Sequence, residues 1–252
     1  MTEYEISPLH LFLSQSLPCP LLNFLLTNDD GISAPGLAAL EQAMSLIPGA
    51  RVSIVAPAVE QSMCGHRVTT HSALRVEPRG AGRWAVHGTP ADCVRLGIFA
   101  LDLKPDWVLS GVNAGGNMGH DIVISGTCAA AREAAYHGMR AAAFSHYLIK
   151  NLAVDYERLE QWVQAVFQSL ALEPLADGEF WNVNFPHHPP GVMPLPERRR
   201  CQPARSPLGV SYAAGADGAY AYTASYAARP RDPGSDVEVC FSGEIAVSKL
   251  RV

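Results

Sequence analysis

Short, almost wholly apolar segments that stop at polar residues constrain this chain more than any other feature. The first, Leu21–Thr27, ends at the turn sequence NDDG of residues 28–31. Apolar runs of this length, closed by turn residues, are typical of strands buried on both faces of a parallel sheet. Buried strands are likewise predicted at four further apolar runs, which are Arg51–Ala56, Asp106–Ser110, Arg140–Ser145 and Phe180–Phe185.

Segments with helical periodicity lie between these apolar runs. In the first, Pro35–Ile47, a proline occupies the first turn and Leu37, Leu40 and Met44 share one face. Strands that alternate with helices of this length predict an α/β fold, with a mostly parallel sheet and helices on both of its faces. The other predicted helices are Pro90–Leu101, Thr127–Gly138 and residues 154–171.

The composition changes after Pro186, and this divides the chain into three predicted parts. Residues 1–20 are predicted to be a loose N-terminal extension and residues 21–186 an α/β core. Residues 187–252 are predicted to form a hairpin-rich C-terminal appendage with a final strand. Short strands are further predicted at Val68–Glu77, Trp84–His87, Tyr220–Tyr222 (with Tyr226 as a candidate extension) and Ile245–Leu250.

Net charge and cysteine spacing exclude several classes of protein. A net charge of −5 argues against a protein that holds a nucleic-acid polymer by its backbone phosphates. The six cysteines form no C-x-x-C pair, which indicates reduced thiols and a cytoplasmic location rather than a disulfide scaffold. The apolar stretch before residue 27 is interrupted by Pro18 and Pro20, so we expect no membrane span.

Polar residues follow three of the predicted core strands, where ligands bind in open parallel sheets. Asp29 and Asp30 follow the first strand, Ser62 lies in the loop after the second, and Asn113 follows the third. Adjacent carboxylates repel each other unless a cation lies between them. An all-oxygen set favours Mg²⁺, Mn²⁺ or Ca²⁺. The alternative is that residues 28–31 are only a turn.

The segment Ser125-Gly126-Thr127 precedes a predicted helix and is a candidate phosphate site. Free N–H groups at a helix N-terminus bind phosphate well. A serine or threonine there is equally typical of a helix N-cap. Asn117 lies a few residues earlier in a glycine-rich loop and could contact the same phosphate.

Taken together, these motifs resemble the SurE (survival protein E) family of 5′/3′-nucleotidases. The resemblance covers residues 21–186 in the right order, with Gly234-Ser235-Asp236 near the end. It is carried by TNDDG (27–31), EQS (60–62), GH (65–66), GTPADCV (88–94), SGVNAG (110–115), Asp121, SGT (125–127), AREA (131–134) and NVNFP (182–186).

The resemblance implies a Rossmann-like fold and hydrolysis of nucleoside 5′- and 3′-monophosphates, with polyphosphate as a further substrate. It also implies one divalent ion per subunit, Mg²⁺ or Mn²⁺, on Asp29, Asp30, Ser62 and Asn113. Asp29 and Asp30 are then the catalytic residues, and a water activated by the metal is our first choice of nucleophile, ahead of an aspartate. Asn117, Ser125, Gly126 and Thr127 are expected to bind phosphate.

Two further expectations concern partners and the rival function. SurE proteins form dimers or tetramers through extended C-terminal segments, so we expect a homo-oligomer built with the chain after Pro186. The proline-rich stretch 186–207 is not expected to continue the parallel sheet, because proline removes ladder donors. A tyrosine strand with an aromatic face and a last strand that must find a partner would also favour an oligomer. The alternative function is a nucleotide or metal sensor that has the fold but no turnover.

Overall fold

Eleven strands form within residues 21–252, the part of the chain that the computed structural model describes. The predicted extension at residues 1–20 lies outside the described residues. In chain order the strands are β1 (Leu22–Thr27), β2 (Ala50–Pro57), β3 (Val76–Pro78), β4 (Arg83–Val86), β5 (Trp107–Ala114), β6 (Arg140–His146), β7 (Glu179–Phe185), β8 (Arg198–Arg200), β9 (Tyr212–Ala214), β10 (Tyr220–Tyr222) and β11 (Ile245–Arg251).

Most of the helices begin at side chains that cap their free N–H groups. Thr89, Ser125, Asp155 and Ser235 each accept a hydrogen bond from an N–H in the first turn that follows. No helix in residues 21–252 is both long and apolar enough to cross a membrane. The helices are α1 (Pro35–Ser45), α2 (Pro90–Arg95), α3 (Asp121–Ile124), α4 (Gly126–Tyr136), α5 (Tyr156–Ala171) and α6 (Asp236–Phe241).

Nine of the strands form one sheet with the order β3-β4-β2-β1-β5-β6-β7-β11-β8. The run from β4 to β7 is parallel throughout, whereas β3 and β11 pair antiparallel with their neighbours. The strand order reverses at β1, because β2 and β4 lie on one side of it and β5, β6 and β7 lie on the other. The loops after β1 and β5 therefore border a crevice at the carboxyl edge, where such sheets bind ligands.

Helices cover both faces of the sheet, as predicted. On one face Leu37 and Leu40 of α1 pack with Val163 and Phe167 of α5 in a core that contains Leu26. The opposite core holds alternate residues of the same strands together with α2 and α4. A third, smaller cluster beneath α6 joins the C-terminal residues to the sheet.

The third predicted core strand runs further than expected. β5 continues through Ala114, so residues 111–113, which were predicted as loop, are part of the strand. Its pairing with β6 shifts between Ser110 and Asn113. Gly111 allows the irregularity, because its φ is +132° and a Cβ there would lie 2.2 Å from the carbonyl oxygen of Phe144.

Two predictions before residue 105 were partly wrong. The expected strand Val68–Glu77 is limited to β3, because Thr69 is held instead on Asp92 by its amide (2.7 Å) and its hydroxyl (2.8 Å). The expected helix Pro90–Leu101 is α-helical only to Arg95 and continues as a π-helical turn, Leu96–Ala100.

The main sheet includes two strands that follow residue 186, and this corrects two expectations about the C-terminal region. We expected the proline-rich stretch to leave the sheet, but β8 contains no proline and pairs in parallel with β11. The last strand, β11, pairs antiparallel with β7, so it is not an unpaired edge. The predicted tyrosine hairpin does form, as β9 and β10, whereas Tyr226 lies beyond it in a 3₁₀ turn.

Candidate active site

A cavity of about 840 Å³ lies at the carboxyl edge of the sheet, beside the ends of β1, β2 and β5. Six of the predicted site residues line it, and these are Asp29, Asp30, Ser62, Asn113, Asn117 and Ser125. Gly126 and Thr127 do not line the cavity. The topology thus brings together loops that lie up to about a hundred residues apart, as the strand-end argument predicts.

Asp29 is fixed by the first turn of α4 and is only 4% exposed. The amide of Thr127 donates to Asp29 Oδ2 at 3.0 Å, and the Thr127 hydroxyl donates to Oδ1. A Cβ on Gly126 would lie 2.8 Å from the Cβ of Asp29, so glycine is needed for this approach. The helix N–H that was expected to bind phosphate is therefore engaged by the Asp29 carboxylate.

Asp30 lies beside Asp29 on the open side of the cavity. Its Oδ2 accepts a hydrogen bond from the amide of Ala114 at 3.0 Å, which ties the end of β1 to the end of β5. Burial and the charge of Asp30 together outweigh the hydrogen bonds from Thr127 and raise the pKa of Asp29 to about 6. Burial and the charge of Glu60 likewise raise the pKa of Asp30. Such a pair is stabilised in its ionised form by a cation.

Ser62 and Asn113 each donate a hydrogen bond within the protein and retain oxygen lone pairs that can bind a cation. The hydroxyl of Ser62 donates to Glu60 Oε1 at 2.6 Å. The side-chain amide of Asn113 donates to the carbonyl oxygen of Gly115 at 2.8 Å, which leaves Asn113 Oδ1 as an acceptor. Groups around the ligands that fix their orientation in this way are typical of metal sites in proteins.

The donor set fits a hard divalent ion. Within residues 21–252, no group of three or more His, Cys, Asp or Glu side chains could hold a metal. The two aspartates therefore need oxygens from Ser62 and Asn113 to complete a ligand set. Two carboxylates with hydroxyl and amide oxygens suit Mg²⁺ or Mn²⁺ better than a metal that prefers sulfur or nitrogen.

Asn117 and Ser125 line the cavity but each already makes a hydrogen bond within the protein. Asn117 Nδ2 donates to Ser145 Oγ at 2.8 Å, and the Asn117 amide donates to Asn184 Oδ1 at 2.7 Å. Ser125 Oγ accepts from the amide of Cys128 at 3.0 Å and thereby caps α4. The capping alternative is thus observed at Ser125, and binding of phosphate there stays a prediction.

A known protein family matches the part of the chain that contains these site residues. The family model described as "Survival protein SurE" matches residues 24–202. This chain belongs to the SurE family. The resemblance drawn from the motifs is therefore confirmed, and it extends over most of the chain.

Relatives of this SurE chain cover nearly all of its length. A protein of Synechocystis sp. named "Putative 5′-nucleotidase" is 49% identical over 231 residues, which are 92% of this chain and 100% of that protein. The 5′-nucleotidase SurE of Brevibacillus brevis is 36% identical over 245 residues, with 92% and 91% covered. The crystal structure of the SurE protein from Aquifex aeolicus has a TM-score of 0.76 at 30% identity, covering 91% of this chain and 93% of that one. The predicted α/β, Rossmann-like fold is confirmed.

One buried ion pair in this SurE chain was not predicted. Arg229 Nη1 donates to Asp121 Oδ2 at 2.6 Å, and the two side chains are 1% and 9% exposed. The hydroxyl of Tyr226 donates to the same carboxylate oxygen at 2.7 Å. These contacts hold the segment after the hairpin against the loop that follows β5. Sequence reasoning noted Asp121 only as part of the resemblance, and its partners lie more than a hundred residues away.

A second unpredicted cluster surrounds Glu133 on the outer side of α4. Burial alone would raise the pKa of Glu133, but hydrogen bonds from His66, Arg95 and His137 outweigh it and lower that pKa to about 2. Because His66 lies four residues after Ser62, the cluster anchors the loop that carries Ser62. Glu133 and His66 also belonged to matching motifs, but their contact could not be read from spacing.

Proposed function

We propose that this chain is a metal-dependent 5′-nucleotidase that hydrolyses nucleoside monophosphates to nucleoside and phosphate, and that it also accepts 3′-monophosphates. One observation carries the proposal. Four oxygen-bearing side chains from three strand ends, Asp29, Asp30, Ser62 and Asn113, line one cavity that is large enough for a nucleotide. The names of its SurE relatives support the same activity.

We propose further that those four residues hold one divalent ion per chain, Mg²⁺ or Mn²⁺. When bound, such an ion neutralises charge on the phosphate oxygens and lowers the pKa of a water molecule. The protein's part is to fix the ligands before substrate arrives. Thr127 orients Asp29, and the Ala114 amide orients Asp30.

A water molecule is the better candidate for the nucleophile. An aspartate that attacks phosphorus must offer a free carboxylate oxygen in line with the leaving group. Both oxygens of Asp29 already accept hydrogen bonds from Thr127, and one oxygen of Asp30 accepts from Ala114. These bonds favour a positioning role for the two aspartates. We expect Ser125 and Asn117, which line the same cavity, to contact the other phosphate oxygens.

Release of inorganic phosphate is the direct test of this function. The purified protein with Mn²⁺ should release phosphate from 5′-AMP and from 3′-AMP. A sensor with the same fold would bind 5′-AMP without releasing phosphate. Binding with no turnover for either nucleotide, over a range of metals, would therefore favour the sensor and overturn the proposal.

Ser125→Ala separates phosphate binding from helix capping. Loss of the cap to Cys128 alone should cost about 1 kcal/mol of folding free energy and leave the kinetics unchanged. If Ser125 also contacts phosphate, the variant should show a raised KM for 5′-AMP and weaker inhibition by inorganic phosphate. Ser235→Ala, which removes the equivalent cap of α6 far along the chain, is the matched control for stability alone. A kinetic profile identical to that control would rule out the phosphate contact.

We also propose that the protein is a homo-oligomer, a dimer or a tetramer. The argument from an unpaired last strand no longer holds, so the proposal rests on the hairpin β9–β10. Tyr212, Tyr220 and Tyr222 are all exposed there, and the hairpin has no place in the main sheet.

Size-exclusion chromatography with light scattering should give a mass of at least twice the 27.0 kDa of one chain at micromolar concentration. Deleting residues 211–223 should lower that mass without unfolding the protein, since no strand of the main sheet is removed. A single peak at the monomer mass for the intact chain would contradict the proposal.

The remaining proposals concern location and other partners. The five cysteines among the described residues are free, which supports a reducing compartment and hence the cytoplasm. A net charge of −5 supports a small phosphate ester rather than a nucleic-acid polymer as the partner.

A further inference from the structure

The residues that line the cavity at the carboxyl edge of the sheet fall into two chemically different groups. One group consists of the aspartates and the oxygen donors described above. The other group is apolar and aromatic, and no Lys, Arg or His side chain is among the lining residues. We call this second group the aromatic wall, and it consists of Met63, Ile124, Leu208, Tyr222, Ala224 and Tyr226.

Most of the aromatic wall lies beyond the residues that the SurE family model matches. The family match ends at residue 202, whereas Leu208, Tyr222 and Tyr226 follow it. The residues proposed to act on the phosphate lie at strand ends within the family match. Because the wall is made mostly of other residues, it is suited to distinguish among substrates that share a phosphate group.

The wall is held in position by hydrogen bonds that engage its polar groups. Tyr226 donates its hydroxyl to Asp121, which the buried Arg229 also contacts. Tyr222 donates its hydroxyl to the carbonyl oxygen of Gly209 at 3.0 Å, and its ring packs edge-on against Tyr212 at 5.5 Å. With their hydroxyls engaged, the tyrosines can offer ring surface to a ligand at little cost in conformational entropy.

We propose that the aromatic wall is a nucleobase subsite in which Tyr222 stacks on the base of the nucleotide. This inference rests on the proposed function, because it requires a phosphate at the strand ends and a planar group against the aromatic wall. A ring face accepts any base, and the wall has no charged group to read a base edge. The subsite therefore favours nucleoside monophosphates over sugar phosphates and tolerates both purines and pyrimidines.

The same hairpin offers a matched control. Tyr220 lies two residues before Tyr222 on the same strand and is 71% exposed, compared with 55% for Tyr222, but it does not line the cavity. A subsite requires Tyr222 alone, whereas a surface that only contacts another subunit would involve both tyrosines.

The experiment compares Tyr222→Ala and Tyr220→Ala on 5′-AMP, 5′-UMP and ribose 5-phosphate. Tyr222→Ala should lower kcat/KM for both nucleotides by about tenfold, mainly through KM, as expected for loss of one base-stacking contact. Turnover of ribose 5-phosphate should stay within about twofold, because that substrate has no base. Tyr220→Ala should match the wild type, and Tyr222→Phe should keep most of the nucleotide activity.

Calorimetric titration with adenosine tests the subsite separately from hydrolysis. Adenosine has a base but no phosphate, so Tyr222→Ala should weaken its binding by about tenfold whether or not the protein turns over 5′-AMP. If no phosphate is released but the difference in adenosine binding remains, the proposed function is refuted and the subsite is not. Equal losses for 5′-AMP and ribose 5-phosphate, unchanged adenosine binding, or equal effects of Tyr220→Ala would each overturn the subsite.

Discussion

Asp30→Asn should lower kcat for phosphate release by about a hundredfold or more while the fold is retained. That is the order of magnitude lost when one group that stabilises transition-state charge is removed. Asparagine keeps the shape of Asp30 and can still accept the hydrogen bond from the Ala114 amide. What it loses is the negative charge with which Asp30 would hold a cation. Phosphate release at saturating Mn²⁺ and the melting temperature are the two measurements.

Asp29→Asn should cause a loss of similar size, although the Thr127 hydroxyl must then reverse its direction to accept from the new amide. Asp102→Asn is the matched control, since that side chain is exposed and contacts only Lys104. Turnover near the wild-type rate in purified Asp30→Asn would refute the catalytic assignment. A lowered melting temperature with unchanged activity per folded molecule would instead identify residues 28–31 as a structural turn.

The strands that carry the site could be predicted because each is buried on both faces. A fully buried strand has to be apolar along its length, and the position where polarity returns marks the strand end. This is why β1 and β2 were placed to within one residue. β5 was cut short at Ser110, because Gly111 and Asn113 read as loop residues and the irregular pairing with β6 cannot be seen in the sequence.

The roles within the candidate site could be predicted only in part. Oxygen-bearing residues at strand ends follow from the order of elements, and six of the eight predicted site residues line one cavity, whereas Gly126 and Thr127 do not. The contact of Thr127 with Asp29 joins residues 98 positions apart, and only the packing of α4 against the end of β1 creates it. Local sequence showed a helix N-terminus at Thr127 but not which anion it faces.

The C-terminal region was the hardest to predict, for a physical reason. Its short strands are stabilised by partners far away in the chain, and local propensity says little about such pairing. Proline suggested that residues 186–207 leave the sheet, yet the three arginines of β8 lie between prolines and pair with β11. The pair Asp121–Arg229 shows the same limit, since neither residue has a neighbour in sequence that would indicate an ion pair.

The charge of the cavity indicates what binding of substrate requires. Asp29, Asp30, Glu60 and Asp121 all line it, and only Asp121 is neutralised by a contact with arginine. A phosphate monoester carries close to two negative charges near neutral pH. Three uncompensated carboxylates would repel it, so the phosphate can approach only if a cation is present.

Removal of divalent ions should therefore abolish phosphate release almost completely. Exhaustive treatment with EDTA, followed by elemental analysis to verify the removal, should leave activity near the background, and Mn²⁺ or Mg²⁺ should restore it. Calorimetric titration with Mn²⁺ gives a readout that does not depend on turnover. The intact protein should bind one ion per chain, and Asp30→Asn should bind it more weakly, whereas Asp102→Asn should bind it as the wild type does. Full activity in verified metal-free protein would contradict the ligand set, because the acidic cavity would then have to bind a dianion without any compensating charge.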